Sequence, residues 1–359
     1  MKIGIDISAL VYGTGVSIYT KELVTNLLKL DSQNQYLLFG GSLRRLEELK
    51  SFSKSLTSKH DDKLFNIPPT LADILWNVLR FPKVESLTGQ LDVFHSSDWT
   101  QPPTNAFKIT TVHDLAPLRY PRETHPTIVA VHRRRLDIIK KEVDRVIVPS
   151  LATKKDLIDF GIKEERIRVI PEAASIIHER STDEEIQKVK TKYKIDSNYL
   201  VTIGVGQRKN TQRLIEAFEK ATAGQNLKLV LIGRSIQNFK ENRGVRFTGH
   251  VTDQEFAALV SGAQVMVYPS LYEGFGLPIL EAFNAQVPVV TSNVSSMPEV
   301  ANDAAVLVDP YEVDSIAQGI MKSLKTQKTL KEMVTKQKGK YSWERTAQMT
   351  LEVYAESLK

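Results

Sequence analysis

The sequence predicts an α/β protein of two domains, each built on a parallel sheet, and three observations predict it. Val265-Met266-Val267-Tyr268-Pro269 is a short apolar run, and Glu273-Gly274-Phe275-Gly276 is a glycine-rich turn. Leu277 to Phe283 then reads as a helix with Pro278 in its first turn, and Val287-Pro288-Val289-Val290 as a further strand. Together these make a β–loop–α–β unit, since proline is tolerated where a helix N–H has no partner. The same rhythm begins twice, at Ile3 to Ile7 and again at Tyr199 to Gly204, with a polar, lysine-rich stretch from Glu172 to Asn198 between them. Finally, 359 residues at 42% hydrophobic content are too many for one simple core and enough for two.

Taken in order, Ile3-Gly4-Ile5-Asp6-Ile7 is a buried strand, and the glycine loop Tyr12-Gly13-Thr14-Gly15-Val16-Ser17 leads into a helix from Ile18 to Leu30. Gly13 and Gly15 let a ligand approach the backbone or offer N–H groups to a phosphate, although many α/β proteins bind nothing at such a loop. Tyr36 to Phe39 is a second strand, Arg44 to Lys59 a polar helix and loop, and Leu71 to Phe81 has helical spacing that makes Trp76 a packing residue. Leu91 to Ser96 and Lys108 to Asp114 are short strands with His95 and His113 near their C-terminal edges, where ligands collect in open parallel sheets. Val146 to Ser150 and Arg168 to Pro171 complete the strands of the first half, and Ser150 starts the helix between them. In the second half a helix from Thr211 to Ala221 follows Arg208-Lys209-Asn210, and strands follow at Leu227 to Gly233 and Val245 to Val251. Tyr341-Ser342-Trp343 opens a last helix.

Composition narrows the function. No stretch approaches the ~20 apolar residues of a membrane span. Met1 leads directly into a strand without a signal-peptide pattern, so a cytoplasmic location is expected. The chain has no cysteine, which excludes disulfides and thiolate metal sites. A net charge of +6 is moderately basic, but the cations come without interleaved aromatics, so no nucleic-acid partner is expected. Arg133-Arg134-Arg135 and Lys140-Lys141 share a helix with Ile128, Val131, Leu136 and Ile139. A solvated face is the simpler reading of that helix, and contact with anionic lipid the alternative.

The chemistry concentrates in the second half. Backbone N–H groups of Gly274, Phe275, Gly276 and Leu277 open a helix whose dipole favours an anion such as phosphate. Glu273 and Glu281 frame that site, with seven residues between them. Carboxylates do not bind phosphate, so they face donors such as the hydroxyls of a sugar and a ribose. Arg208 and Lys209, beside Gly204 and Gly206, supply a forked donor and a point charge suited to a diphosphate.

With these residues the sequence resembles the family-4 retaining glycosyltransferases. Tyr268 to Ala282, YPSLYEGFGLPILEA, is similar to their E-x7-E signature, Val112 to Pro121 to their HD segment, and Arg208 to Asn210 to their R-K-N segment. The resemblance implies the GT-B fold, two facing Rossmann-like domains with a C-terminal helix crossing back to the first. The expected division is an acceptor-side domain at 1–175, a nucleotide-sugar domain at 176–340, and the crossover helix at 341–359. It further implies Glu273 beside the transferred sugar, Glu281 on the ribose, His113 at the sugar or phosphate, and Arg208 and Lys209 on the diphosphate. Gly13 and Gly15 would lie near the donor, although Ser17 stands where the family commonly has a second glycine.

The expected function is transfer of a hexose, mannose from GDP-mannose or glucose from UDP-glucose, with retention. The acceptor is a saccharide, a lipid-linked saccharide or a small molecule, with peripheral membrane contact possible and no metal or other cofactor. Retention leaves open a carboxylate nucleophile or front-face attack assisted by the leaving phosphate. Three rivals are a GT-B epimerase or phosphorylase, a non-catalytic nucleotide-sugar sensor, and a nicotinamide dehydrogenase. The last is disfavoured because Gly13-Thr14-Gly15 lacks the rest of the dinucleotide fingerprint.

Overall fold

The computed structural model describes residues 1–174, 179–233, 244–337 and 339–358. The chain divides into two compact units, one of Met1–Glu172 with Ser342–Lys359 and one of Ala173–Tyr341. The polar stretch that the sequence marks as a linker includes residues 175–178, which lie outside the described residues, and its leading helix is Asp183–Lys192.

The first unit holds β1 (Lys2–Asp6), β2 (Gln35–Gly41), β3 (Asp61–Phe65), β4 (Val93–Ser96), β5 (Phe107–Thr111), β6 (Arg145–Val148) and β7 (Ile167–Val169). They form one parallel sheet in the order β3-β2-β1-β4-β5-β6-β7. The second holds β8 (Asn198–Ile203), β9 (Leu227–Ile232), β10 (Val245–Gly249), β11 (Val265–Tyr268), β12 (Val289–Ser292) and β13 (Ala305–Val308). These are again parallel, in the order β10-β9-β8-β11-β12-β13. In each unit the strand order reverses beside the first strand, which leaves a crevice at the strands' C-terminal ends.

The apolar runs follow from helices covering both faces of each sheet. Along β11, Val265 and Val267 join one core cluster and Met266 and Tyr268 the other, and all four side chains are buried. Trp76 is buried with Phe39 and Phe94, as its helical spacing predicts. Strand β3 was not legible in Asp61-Asp62-Lys63 because an edge strand pairs on one side only and leaves charged side chains in solvent. The basic helix, Pro126–Glu142, is also not the continuous solvated face that the sequence suggested. Arg133 is exposed and Arg134 pairs with Asp73, but Arg135 is fully buried. Its guanidinium donates to Thr110 Oγ1 at 2.7 Å and to the Thr111 carbonyl at 2.8 Å, and lies 3.3 Å from Asp98.

The last helix, Trp343–Ala355, packs within the first unit. Beyond its end Glu356 receives Arg168 through two bonds of 2.7 Å and also pairs with Arg145, a forked contact that fixes the end of the chain to β6 and β7. Thr346 donates to the Pro171 carbonyl at 2.7 Å.

Candidate functional site

In the second unit, adjacent strands β8 and β11 bring Arg208, Lys209 and Glu273 together at the crevice. The turn after β8 is held by Asn210, whose left-handed backbone (φ 58°) precedes the helix Thr211–Ala221. Its amide donates to the Pro269 and Pro310 carbonyls, at 3.1 and 2.6 Å. Gly204 also has positive φ (+80°), and a Cβ there would come within 2.9 Å of Lys209 Cε. The lysine stem therefore lies against a position that only glycine fills without strain.

Lys209 Nζ donates to Glu273 Oε1 and to the Tyr268 hydroxyl, both at 2.6 Å. Arg208 Nη1 lies 2.8 Å from Glu273 Oε2 and donates to the Tyr272 carbonyl at 2.8 Å. Glu273 is only 9% exposed, and burial alone would raise its pKa. The charges of Lys209 and Arg208, with hydrogen bonds from Lys209 and Tyr268, outweigh that and hold it at about 2. Two cations against one carboxylate leave a net positive cluster.

The loop after β11 is fixed from behind. Ser295 Oγ accepts from the Glu273 N–H at 3.2 Å, and Ser295 and Ser296 hydroxyls donate to the Glu273 carbonyl at 2.7 and 2.9 Å. Gly276, at φ +118°, begins the helix Leu277–Asn284. Gly274 is buried, and the Phe275 side chain belongs to the core, edge-on to Tyr341, so it is a packing residue. Glu281 is on the helix and 4% exposed. Tyr268, Asn210, Ser295 and Ser296 were missed as site residues. Tyr268 reads as a core strand residue, and the others become visible only once the loop's carbonyls need donors.

His113 and the glycine loop belong to the first unit. There the C-terminal ends of β1, β4 and β5 line a narrow crevice of about 20 Å³ with Asp6, His95, Asp98, Thr111 and His113. His113 Nδ1 is 2.7 Å from Glu172 Oε1, and its ring meets Tyr19 edge-on at 4.6 Å. Burial lowers the His113 pKa, but the Glu172 hydrogen bond and charge, with Asp98 and Asp114, raise it above the ordinary value. His95 has both ring nitrogens engaged, Nδ1 with the Tyr354 hydroxyl at 2.8 Å and Nε2 with Thr111 Oγ1 at 2.9 Å. Burial first, then the charges of His113 and Arg135, lower it to about 3, so it is a neutral structural residue. In the glycine loop, Ser17 Oγ accepts from the N–H groups of Gly13 and Thr14, at 2.9 and 3.3 Å. Two donors that the sequence offers to a phosphate are thus bonded within the loop, while Gly15 is exposed as the first residue of the helix Gly15–Leu30. Among the described residues, no group of three or more histidine or acidic side chains is placed to hold a metal ion.

Comparison with known proteins gives the family. The family model for Glycosyltransferase Family 4 matches residues 13–175, and that for Glycosyl transferases group 1 matches residues 183–340. The O-antigen chain mannosyltransferase B of Escherichia coli is 28% identical over 366 residues, covering 95% of this chain and 96% of the relative. The serotype-specific mannosyltransferase WbdA of Escherichia coli is 28% identical over 277 residues, 70% of this chain but 34% of the longer relative. Among solved structures, Anabaena HepE in complex with UDP-glucose superposes with a TM-score of 0.70 at 17% identity, covering 99% of this chain and 100% of that one. The chain therefore belongs to the family-4 glycosyltransferases, has their GT-B fold, and is a nucleotide-sugar-dependent hexosyltransferase.

Proposed function

We propose that the enzyme transfers mannose from GDP-mannose, with retention, to a saccharide acceptor, and that UDP-glucose is the second donor to test. The observation that carries this reading is the cluster of Arg208, Lys209 and Glu273 before the N-terminus of the Leu277–Asn284 helix. Mannose is favoured by the likeness to O-antigen mannosyltransferase B along nearly the whole chain, and UDP-glucose by the likeness to HepE. In this account the donor diphosphate takes Arg208, Lys209 and the helix N-terminus, and Glu273 turns to the sugar. Glu281 holds the ribose, and His113 meets the sugar or a phosphate oxygen. Gly13 and Gly15 leave room for the donor beside the loop.

The bond from the anomeric carbon to the diphosphate oxygen breaks, and its electron pair leaves with the diphosphate. The acceptor hydroxyl bonds the anomeric carbon on the same face, and its proton passes to the leaving phosphate oxygen. The cations and the helix dipole stabilise the leaving charge. No metal or other cofactor enters this account.

The acceptor is a lipid-linked saccharide in our reading, met in the cytoplasm at the inner face of the membrane. Among the described residues no helix is long and apolar enough to cross a membrane. Leu71, Ile74, Val78, Leu79 and Phe81, all exposed within eleven residues near Lys83, offer an apolar strip suited to a bilayer surface. A thermal-shift panel of nucleotide sugars tests the donor, because a ligand at ~100 times its dissociation constant stabilises by about 2.7 kcal/mol. Nucleotide release from the donor that binds, with and without EDTA, then separates an enzyme from a sensor. Turnover is expected to survive chelation.

A further inference from the structure

Glu172 lies outside the three segments that carry the resemblance, and the sequence gives it only the start of a linker. The structure buries its side chain to 6% exposure, with Oε1 2.7 Å from His113 Nδ1. A carboxylate taken out of water this far is costly unless a donor or cation meets it. The bond occupies Nδ1, so Nε2 is the ring nitrogen of His113 left for a ligand in the crevice.

We propose that Glu172 is a positioning residue for sugar transfer, holding His113 as a charged ring with Nδ1–H turned to Glu172 and Nε2–H presented to an oxygen of the bound substrates. The proposal rests on the assignment of His113 to the transferred sugar or its phosphate. Other groups around His113 do not replace Glu172. Asp98 and Asp114 add negative potential, His95 and His132 interact with it as further imidazoles, and Arg135 acts on both of those. Glu172 is the group hydrogen-bonded to the ring, and its bond and charge are the largest influences holding the proton there against burial.

Its place in the chain adds a second observation. Glu172 is the last residue of the first unit, and Ser342 is where the chain returns. Thr346 donates to the Pro171 carbonyl, next to Glu172. Trp343 meets Tyr19 edge-on at 5.8 Å, and Tyr19 meets His113. Glu172, where the chain leaves the first unit, thus bonds His113 directly, and Trp343, just after its return, reaches the same histidine through Tyr19.

The test uses the full chain. Glu172→Gln keeps an oxygen that accepts from Nδ1–H but removes the charge, so His113 should titrate lower by about one pH unit or more in NMR of the free protein. With GDP-mannose as donor, kcat at pH 7.5 should fall about tenfold or more and donor KM by less than about twofold. A group that must be protonated loses activity as pH rises through its pKa, so the alkaline fall in kcat should move to lower pH with the titration. Glu172→Asp keeps the charge and should restore much of the titration. In a His113→Gln background, Glu172→Gln should cost less than about twofold more, because the two act as a unit. An unmoved His113 titration, or losses that multiply in the double variant, overturns the role of Glu172. Normal kcat in His113→Gln alone overturns the assignment of His113 beneath it, a distinguishable failure.

Discussion

Replacing Glu273 by glutamine is the most informative perturbation, because one side chain balances two cations. Its carboxylate is held at about 2 against an ordinary value of 4.5, which corresponds to about 3 kcal/mol of net attraction from Lys209, Arg208 and Tyr268. Glutamine keeps the shape and removes the charge that Glu273 sets against Arg208 and Lys209. The ligand-free protein should therefore lose about 3 kcal/mol, a fall of about 6–12 °C in Tm for a unit of this size. The same change makes the cluster more positive, so a nucleoside diphosphate should bind about tenfold tighter and recover part of the lost Tm. Turnover should move the other way. Positive charge develops at the anomeric carbon as the diphosphate leaves, and without the carboxylate kcat should fall ~100-fold or more. Because the folded pKa lies below the unfolded one, the wild-type stabilisation is complete above about pH 4.5 and disappears as pH falls towards 2. The variant should accordingly show a flatter acid limb. Differential scanning fluorimetry against pH, calorimetry with GDP and UDP, and steady-state kinetics read these effects. An unchanged Tm with diphosphate binding no tighter would refute the ion-pair reasoning, and near-normal kcat would remove Glu273 from the reaction.

Glu281→Gln should mainly raise donor KM, since a ribose contact is similar in the ground and transition states; a loss confined to kcat would count against it. Arg208→Ala and Lys209→Ala should weaken binding of donor and nucleoside diphosphate alike and of monophosphate less. Equal losses for diphosphate and monophosphate in calorimetry would contradict their placement on the pyrophosphate. Leu79→Ser with Phe81→Ser should reduce sedimentation with vesicles containing anionic lipid by about tenfold, two exposed apolar side chains being lost, while nucleotide binding stays the same. Undiminished vesicle binding would exclude that strip as the contact.

Much of the fold was legible because burial on both faces of a parallel sheet demands unbroken apolar runs. Val265 to Tyr268 and Tyr199 to Ile203 could only be central strands, and the helix Thr211–Ala221 has the bounds its periodicity predicts. Strand β3 escaped because its charged residues are allowed at a sheet edge. Arg135 escaped because an arginine among other arginines on a helix reads as solvated, whereas the fold turns this one towards Asp98 and Thr110.

The sequence by itself determined the chemical inventory: two parallel α/β units, a glycine turn before a helix, a pair of glutamates, and two adjacent cations. Those features depend on local spacing, so helix and strand periodicity suffices to read them. Only the tertiary structure decided the pairings. Glu273 lies 64 residues from Lys209, and His113 lies 59 from Glu172. Neither contact leaves a periodic trace in the chain. Each exists because crossovers bring distant strand ends to one edge of a sheet, where burial makes a charge require a partner.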